Sequence, residues 1–166
     1  MSRRLARAIL RAGRQTIPPR MVTTAESCTG GMVAAAITDI AGSSAVFAGG
    51  FVTYTNALKH DLLGVSEADL KTYGAVSEPV ARAMAEGARM RTGAFTAVAI
   101  TGIAGPGGTE RKPEGRVCFA LASPSGTTAE TQDFGALGRD RVRRAARDHA
   151  LRLLLGALRR PGAQGF

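Results

Sequence analysis

Three short segments of this chain carry residue types that could do chemistry, and each follows a stretch that reads as a strand. The first, Glu26-Ser27-Cys28-Thr29-Gly30-Gly31, supplies a carboxylate, hydroxyls and a thiol beside paired glycines. Such glycines let backbone approach a ligand, and free N–H groups at the start of a following helix favour an anion or an oxyanion. From spacing alone, the plainer account is a polar turn in which Ser or Thr caps the helix. The second is Tyr54-Thr55-Asn56-Ala57-Leu58-Lys59. With Asn56 as N-cap, Lys59 is the third helical residue, in the positive half of the macrodipole, which favours its neutral form. A neutral lysine is a competent general base; taken alone, a solvent-exposed lysine is the plainer account. The third is Thr101-Gly102-Ile103-Ala104-Gly105-Pro106-Gly107-Gly108, followed by Lys112-Pro113-Glu114-Gly115. It has the glycine content of a phosphate cradle, but no Gly-Lys-Ser/Thr follows and the dinucleotide fingerprint spacing fails.

The elements that would position these segments alternate between strand and helix. Arg3, Arg4, Arg7 and Arg11 interleave with Leu5, Ala8, Ile9 and Ala12, so residues 2–13 read as an amphipathic helix packed on the domain. The arginine-rich, acid-poor start shares the look of a transit peptide, but lacks the apolar core of a secretory signal. Strands are expected over Met21–Ala25, Val46–Tyr54 (with a bulge or close approach at Gly49-Gly50) and Phe95–Ile100. Helices are expected over Met32–Ile40, from Asn56 to near Gly64, from a Ser66 cap, and from Ser77-Glu78-Pro79. Val117–Ala122 and Thr127–Phe134 flank Pro124-Ser125-Gly126 as a hairpin. Val142, Ala145, Ala146, His149, Leu153, Leu154 and Ala157 recur at helical steps over one long last helix. This pattern predicts a three-layer α/β/α sandwich with a mixed, mostly parallel sheet.

Composition narrows the function classes. The 166 residues hold 22 Lys+Arg and 13 Asp+Glu, a net charge of +9, and fit one domain over 1–166. Cys28 and Cys118 are too few for a disulfide framework, and His60 and His149 lie too far apart for a histidine-rich metal centre. No apolar run reaches the roughly 20 residues of a membrane span. The positive charge suits an anionic partner. Aromatic residues are only 5% with no tryptophan, so platforms for stacking nucleic-acid bases are scarce. No nucleic acid and no membrane are therefore expected as partners.

Five motifs, taken in order and spacing, carry a resemblance. They are Ala25-Glu26-Ser27-Cys28-Thr29-Gly30-Gly31, Gly42-Ser43-Ser44, Tyr54-Thr55-Asn56 with Lys59, Gly74-Ala75-Val76-Ser77-Glu78, and Thr101-Gly102-Ile103-Ala104-Gly105-Pro106. Together they resemble the CinA C-terminal domain family, which includes the nicotinamide mononucleotide (NMN) deamidases known as PncC. The resemblance runs from about Leu5 to Leu158. The nucleotide-processing N-terminal domain of full-length CinA is absent from this sequence, so the stand-alone form is the one it is similar to.

What the resemblance implies is hydrolysis of the NMN carboxamide to nicotinate mononucleotide and ammonia, without metal or cofactor, in a cytoplasmic homodimer or larger homo-oligomer. It implies a Ser/Lys mechanism in which Ser27 is the nucleophile and Lys59 its base, with Tyr54 or Ser44 orienting the lysine or relaying the proton. The oxyanion would be held by N–H groups around Gly30 and Gly31, or by Thr101, with Gly102 and Gly105 lining the substrate. Arg139 aligns with a family arginine and would bind the phosphate, while Gly138 stands where the family has aspartate. Arg141 and Arg143 are expected to be solvated. Three alternatives stay open: Cys28 as nucleophile beside Glu26 and Lys59, Ser44 as nucleophile, and a competence-associated nucleic-acid or nucleotide-binding protein without catalysis.

Overall fold

A computed structural model describes residues 1–160; residues 161–166, the end of the unit expected over 1–166, lie outside the described residues. The arginine-studded start folds as helix α1 (Ser2–Gly13), burying Ala6, Ile9, Leu10 and Ala12 and leaving Arg3, Arg4, Arg7 and Arg11 exposed. Strand β1 (Val22–Glu26), helix α2 (Met32–Thr38), a short 3-10 turn (Ser43–Ala45) and strand β2 (Phe47–Val52) follow. Helices α3 (Asn56–Leu63), α4 (Glu67–Tyr73) and α5 (Glu78–Thr92) lead to β3 (Thr96–Gly102), the hairpin β4 (Arg116–Ser123) and β5 (Gly126–Asp133), and α6 (Arg139–Arg159).

The strand order is β2-β1-β3-β4-β5. β1 is parallel to both β2 and β3, whereas β3–β4 and β4–β5 are antiparallel. The sheet is mixed, as expected, with two of its four pairings parallel rather than most. Alternation along β3 and β4 sorts the side chains by size. Val98, Ile100, Phe119 and Leu121 join the core under α1, α2 and α6, while Ala97, Ala99, Cys118, Ala120 and Ala122 face α5. Alanine on the sheet meets alanine on the helix (Ala81, Ala85, Ala88), which lets α5 lie close. The result is the expected three-layer α/β/α sandwich.

Parallel pairing fixes where the three chemistry-bearing segments go. Glu26 registers with Val52 on one side and Ile100 on the other, so all three segments leave the same edge of the sheet. Chain connections diverge to either side of β1, the switch point where α/β sheets open a crevice. The register slips at Ala48, since Val22 pairs with Phe47 and Thr23 with Gly49. Gly50 is the close approach: a Cβ there would lie 2.4 Å from the Thr24 Oγ1.

One glycine seats the helix that bears Lys59. A Cβ on Gly87 of α5 would come within 1.9 Å of the Leu63 carbonyl oxygen at the end of α3. Alanine in place of a helical glycine gains about 1 kcal/mol, but overpacking costs about 1–3 kcal/mol, and here about 2–3 kcal/mol because a backbone oxygen cannot rotate away. Gly87→Ala is therefore expected to destabilise the protein by about 1–2 kcal/mol net, read as a lower urea midpoint. An unchanged or higher midpoint would show that α3 shifts freely on α5.

Candidate active site

The turn after β1 is organised by a carboxylate. Glu26 is fully buried, and its oxygens accept from the N–H groups of Gly31 (3.1 Å), Val33 (3.1 Å) and Ala34 (2.9 Å) at the start of α2. The anion site expected at this helix end is thus filled from within the chain. Gly30 and Gly31 supply the left-handed backbone of the turn (φ +57° and +96°), and the Gly30 N–H donates to the Ser27 carbonyl at 3.0 Å. Neither glycine N–H faces a ligand, contrary to the expectation for Gly30 and Gly31. The N–H groups of Cys28 and Thr29 have no hydrogen-bond partner among the described residues.

Ser27 sits just beyond β1, tied to the sheet by its N–H to the Ile100 carbonyl at 2.9 Å. Its hydroxyl meets Lys59, which is only 1% exposed. The Lys59 Nζ donates to Ser27 Oγ at 3.0 Å and to the Thr53 carbonyl at 2.8 Å. No carboxylate pairs with it among the described residues. Burial holds its pKa below the ordinary lysine value of 10.5. The N-cap of α3 is Thr55, whose Oγ1 accepts from the Leu58 N–H, so Lys59 is the fourth helical residue rather than the third. Desolvation, rather than the end of the macrodipole, is what acts on it.

Cys28 lines the same cavity, but burial pushes its thiol up to about 12, leaving roughly one thiolate in 10⁵ at pH 7. Glu26, occupied by three N–H groups, is not placed as a base for it. The cavity, of about 240 Å³, is also walled by Tyr54, Asn56, Val76, Gly102 and Ala104. Tyr54 is not a hydrogen-bond partner of Lys59: its hydroxyl accepts from Arg139 Nη2 at 2.7 Å. Arg139 opens α6 and also donates to the Gly105 carbonyl at 3.0 Å, joining the loops after β2 and β3. Thr101 is buried in the cavity wall and donates its hydroxyl to the Ala75 carbonyl at 2.8 Å, which leaves it no hydrogen for an oxyanion. Gly102 is pressed against β4, where a Cβ would meet Val117 Cγ2 at 2.7 Å.

Two expectations are corrected. Ser44 is exposed and precedes β2, whereas Ser27 follows β1; across parallel strands these positions are at opposite ends of the sheet, about 15 Å or more apart. Within this chain Ser44 neither orients Lys59 nor attacks beside it. Arg143 is not solvated: it is half-buried, with Nε 3.0 Å from the Cys28 carbonyl and Nη2 3.2 Å from that of Thr29. Its spacing of four from Arg139 on one helix face was the available signal. Thr53, the second partner of Lys59, acts through a backbone carbonyl and carries no signature of residue type.

A buried hydroxyl–amine pair at the switch point of a mixed sheet, closed by an arginine from the last helix, defines a class of α/β/α sandwich domain. This chain belongs to the CinA C-terminal domain family, which it matches over residues 5–158. A CinA-like protein of Anaeromyxobacter dehalogenans is 58% identical over 139 residues, covering 83% of this chain and 34% of its own length. One from Mycobacterium avium is 60% identical over 114 residues, 68% of this chain and 26% of that protein. The chain thus spans about a third or less of the curated relatives it matches. A competence/damage inducible protein, CihA, of Agrobacterium tumefaciens superposes with a TM-score of 0.88 at 46% identity, covering 94% of each chain. A CinA superfamily protein of Escherichia coli gives 0.86 at 37% identity, covering 93% of this chain and 89% of its own. No helix of the described residues is long and apolar enough to cross a membrane, and no cluster of three or more His, Cys, Asp or Glu among them could hold a metal ion.

Two measurements follow from these environments. Cys28 in the native protein is expected to resist iodoacetamide at pH 8 and to react on unfolding; rapid native alkylation would contradict its burial. Lys59 titrates near 10.5 in the unfolded chain and lower when folded. Between those values the unfolded state binds the extra proton, so this residue's contribution to stability rises with pH, and below the folded value its penalty is constant. Denaturant unfolding at several pH values should show wild type gaining on Lys59→Met as pH climbs towards 10.5. A difference flat in pH would mean that Lys59 holds its proton as tightly inside as outside.

Proposed function

We propose that this domain is an amide hydrolase acting through Ser27 and Lys59, and that its substrate is NMN. The observation that carries the reading is the 3.0 Å hydrogen bond between a buried lysine, without a counter-ion among the described residues, and a hydroxyl on the cavity wall. The Thr53 carbonyl only accepts, so it holds one N–H of a neutral Lys59 and leaves the amine lone pair for the Ser27 proton. Ser27 Oγ then bonds to the carboxamide carbon as its proton passes to Nζ. The oxyanion is met by the N–H groups of Cys28 and Thr29 in place of those of Gly30 and Gly31. On collapse the C–N bond breaks, Lys59 returns the proton to the leaving ammonia, and a water activated by the same amine releases the carboxylate. Balanced overall, amide and water give acid and ammonia.

NMN as substrate rests on family membership, and Arg139 gives its phosphate a place. Two guanidinium donors hold the Gly105 carbonyl and Tyr54 hydroxyl, and the others are left for an anion at the start of α6. Those two bonds orient Arg139 without the aspartate that Gly138 replaces; Gly138 itself has φ +87°, where glycine is favoured. Tyr54 then acts on Arg139 rather than on Lys59, and Thr101 on the Ala75 loop.

The relatives' names carry a second reading. Proteins described as competence/damage inducible share this fold, and a charge of +9, with arginines exposed along α1, suits a role beside nucleic acid. One comparison separates the two. With NMN, wild type should release ammonia and nicotinate mononucleotide, Ser27→Ala and Lys59→Ala should lose about 10³-fold or more, and Cys28→Ser should stay near wild type. The kcat/KM profile should rise with pH along a limb centred below 10.5. No product above the Lys59→Ala control, together with DNA binding that falls steeply with salt, would give the second reading the field.

A further inference from the structure

Resting on the reading of Ser27 as nucleophile, we propose that Arg143 is a positioning residue that fixes the oxyanion-binding face of the Ser27–Gly30 turn. Its guanidinium spans two successive carbonyls, Cys28 O at 3.0 Å and Thr29 O at 3.2 Å, from helix α6 on the far side of the turn in sequence. In a trans peptide the N–H points opposite to the C=O. Holding the Cys28 carbonyl therefore aims the Thr29 N–H away from Arg143. The Ser27 carbonyl is drawn into the turn by the Gly30 N–H, which turns the Cys28 N–H outwards. These are the N–H groups without partners among the described residues, and Cys28 shares the cavity wall with Ser27.

The fit is close. A Cβ on Gly30 would lie 3.3 Å from Arg143 Nη2, so the guanidinium rests on the turn where a side chain would press against it. Its charge also reaches the site, opposing the rise that burial imposes on the Cys28 thiol. A cation on the carbonyl of a peptide polarises that peptide and strengthens its N–H as a donor. Arg143 thus does for the turn what Arg139, one helical turn earlier, does for the loops after β2 and β3. Lysine reaches one carbonyl at a time and lacks the fork.

The test compares wild type, Arg143→Ala and Arg143→Lys, each first shown to be folded by its urea midpoint. Two readouts are followed: NMN turnover, and stoichiometric phosphonylation of Ser27 by a fluorophosphonate. In the second, the Ser27 O–P bond forms, P–F breaks, fluoride leaves and the serine proton passes to Lys59. Arg143→Ala is expected to lower kcat and the phosphonylation rate about 10²-fold with KM within about twofold, millimolar guanidinium restoring part of the loss. Arg143→Lys should recover little. A raised KM with unchanged kcat would make Arg143 a ligand contact and overturn the proposal, as would unchanged rates in either folded variant. If Arg143→Ala does not fold, a folded Arg143→Lys with wild-type kcat overturns it, and one slowed about 10²-fold at unchanged KM supports it. Wild type that is phosphonylated at Ser27 yet inert to NMN refutes the substrate alone, and Arg143 is then judged on phosphonylation. Wild type inert to both refutes the nucleophile, and the proposal falls with it.

Discussion

Taking an ammonium out of water costs several kcal/mol unless its charge is shared or lost, and among the described residues the buried Lys59 has a hydroxyl and a carbonyl as its hydrogen-bond partners. That penalty has to be met by everything that keeps α3 in place. Thr55 closes its first turn, Gly64 in a left-handed conformation closes its last, and the glycine at 87 lets its end lie against α5. The Thr53 carbonyl is fixed in turn, because the Thr53 N–H donates to the Glu26 carbonyl at 2.9 Å. The site's lysine is therefore held by the same hydrogen bonding that joins the ends of β1 and β2. A penalty of this kind is also what turns an ordinary amine into a base, since it acts only on the protonated form.

Charge elsewhere is arranged around that choice. Glu26 is the nearest buried carboxylate in sequence to Ser27, yet its oxygens face α2 and satisfy three N–H groups there. Directed at Lys59 instead, it would have held the proton on the amine. By occupying the helix end, it removes the anion site that the paired glycines suggested and leaves external anions to guanidinium groups. Most of the +9 is spread over exposed helix faces; the part near the cavity is the pair on α6. Charge balance alone does not distinguish these populations, but burial and partners do.

The elements were largely legible because their signals are local. Ser66 caps α4 where expected, and Ser77 stands at the expected N-cap position of α5 although its hydroxyl donates to the Gly74 carbonyl instead. The start of α6 lies just ahead of its apolar periodicity, and α1 spans the predicted residues. Asn56 and Thr55 both cap helices well, so the sequence could not say which of two adjacent polar residues accepts the N–H. Ser27, Lys59, Tyr54, Thr101 and Arg139 do share one cavity. Several of their partners, and those of Arg143, were hidden, since Thr53, Ala75, Gly105 and Cys28 contribute carbonyls, which every residue has. Ser44 shows the converse. A motif match kept it beside the others in order, while parallel pairing of β1 and β2 sends a helix-to-strand turn to the opposite end of the sheet from a strand-to-helix turn.

The seat of α6 links the core to the chemistry. Val142, Ala146, Ala150, Leu151 and Leu154 are all buried under the sheet, and they set the rotation of the helix about its axis. Arg139 and Arg143 stand at the start of the same helix, one turn apart, and each ties down loop backbone at the edge of the cavity. A shift of one residue in the packing of α6 would turn both guanidinium groups by about 100° and move them 1.5 Å along the axis. Neither could then reach its partners. The large apolar side chains on that face of the sheet thus do more than stabilise the fold. They hold α6 in the single register that brings Arg139 to the mouth of the cavity and Arg143 to the turn of Ser27, while the alanine face opposite seats α5, against which the end of α3, the helix that bears Lys59, is packed.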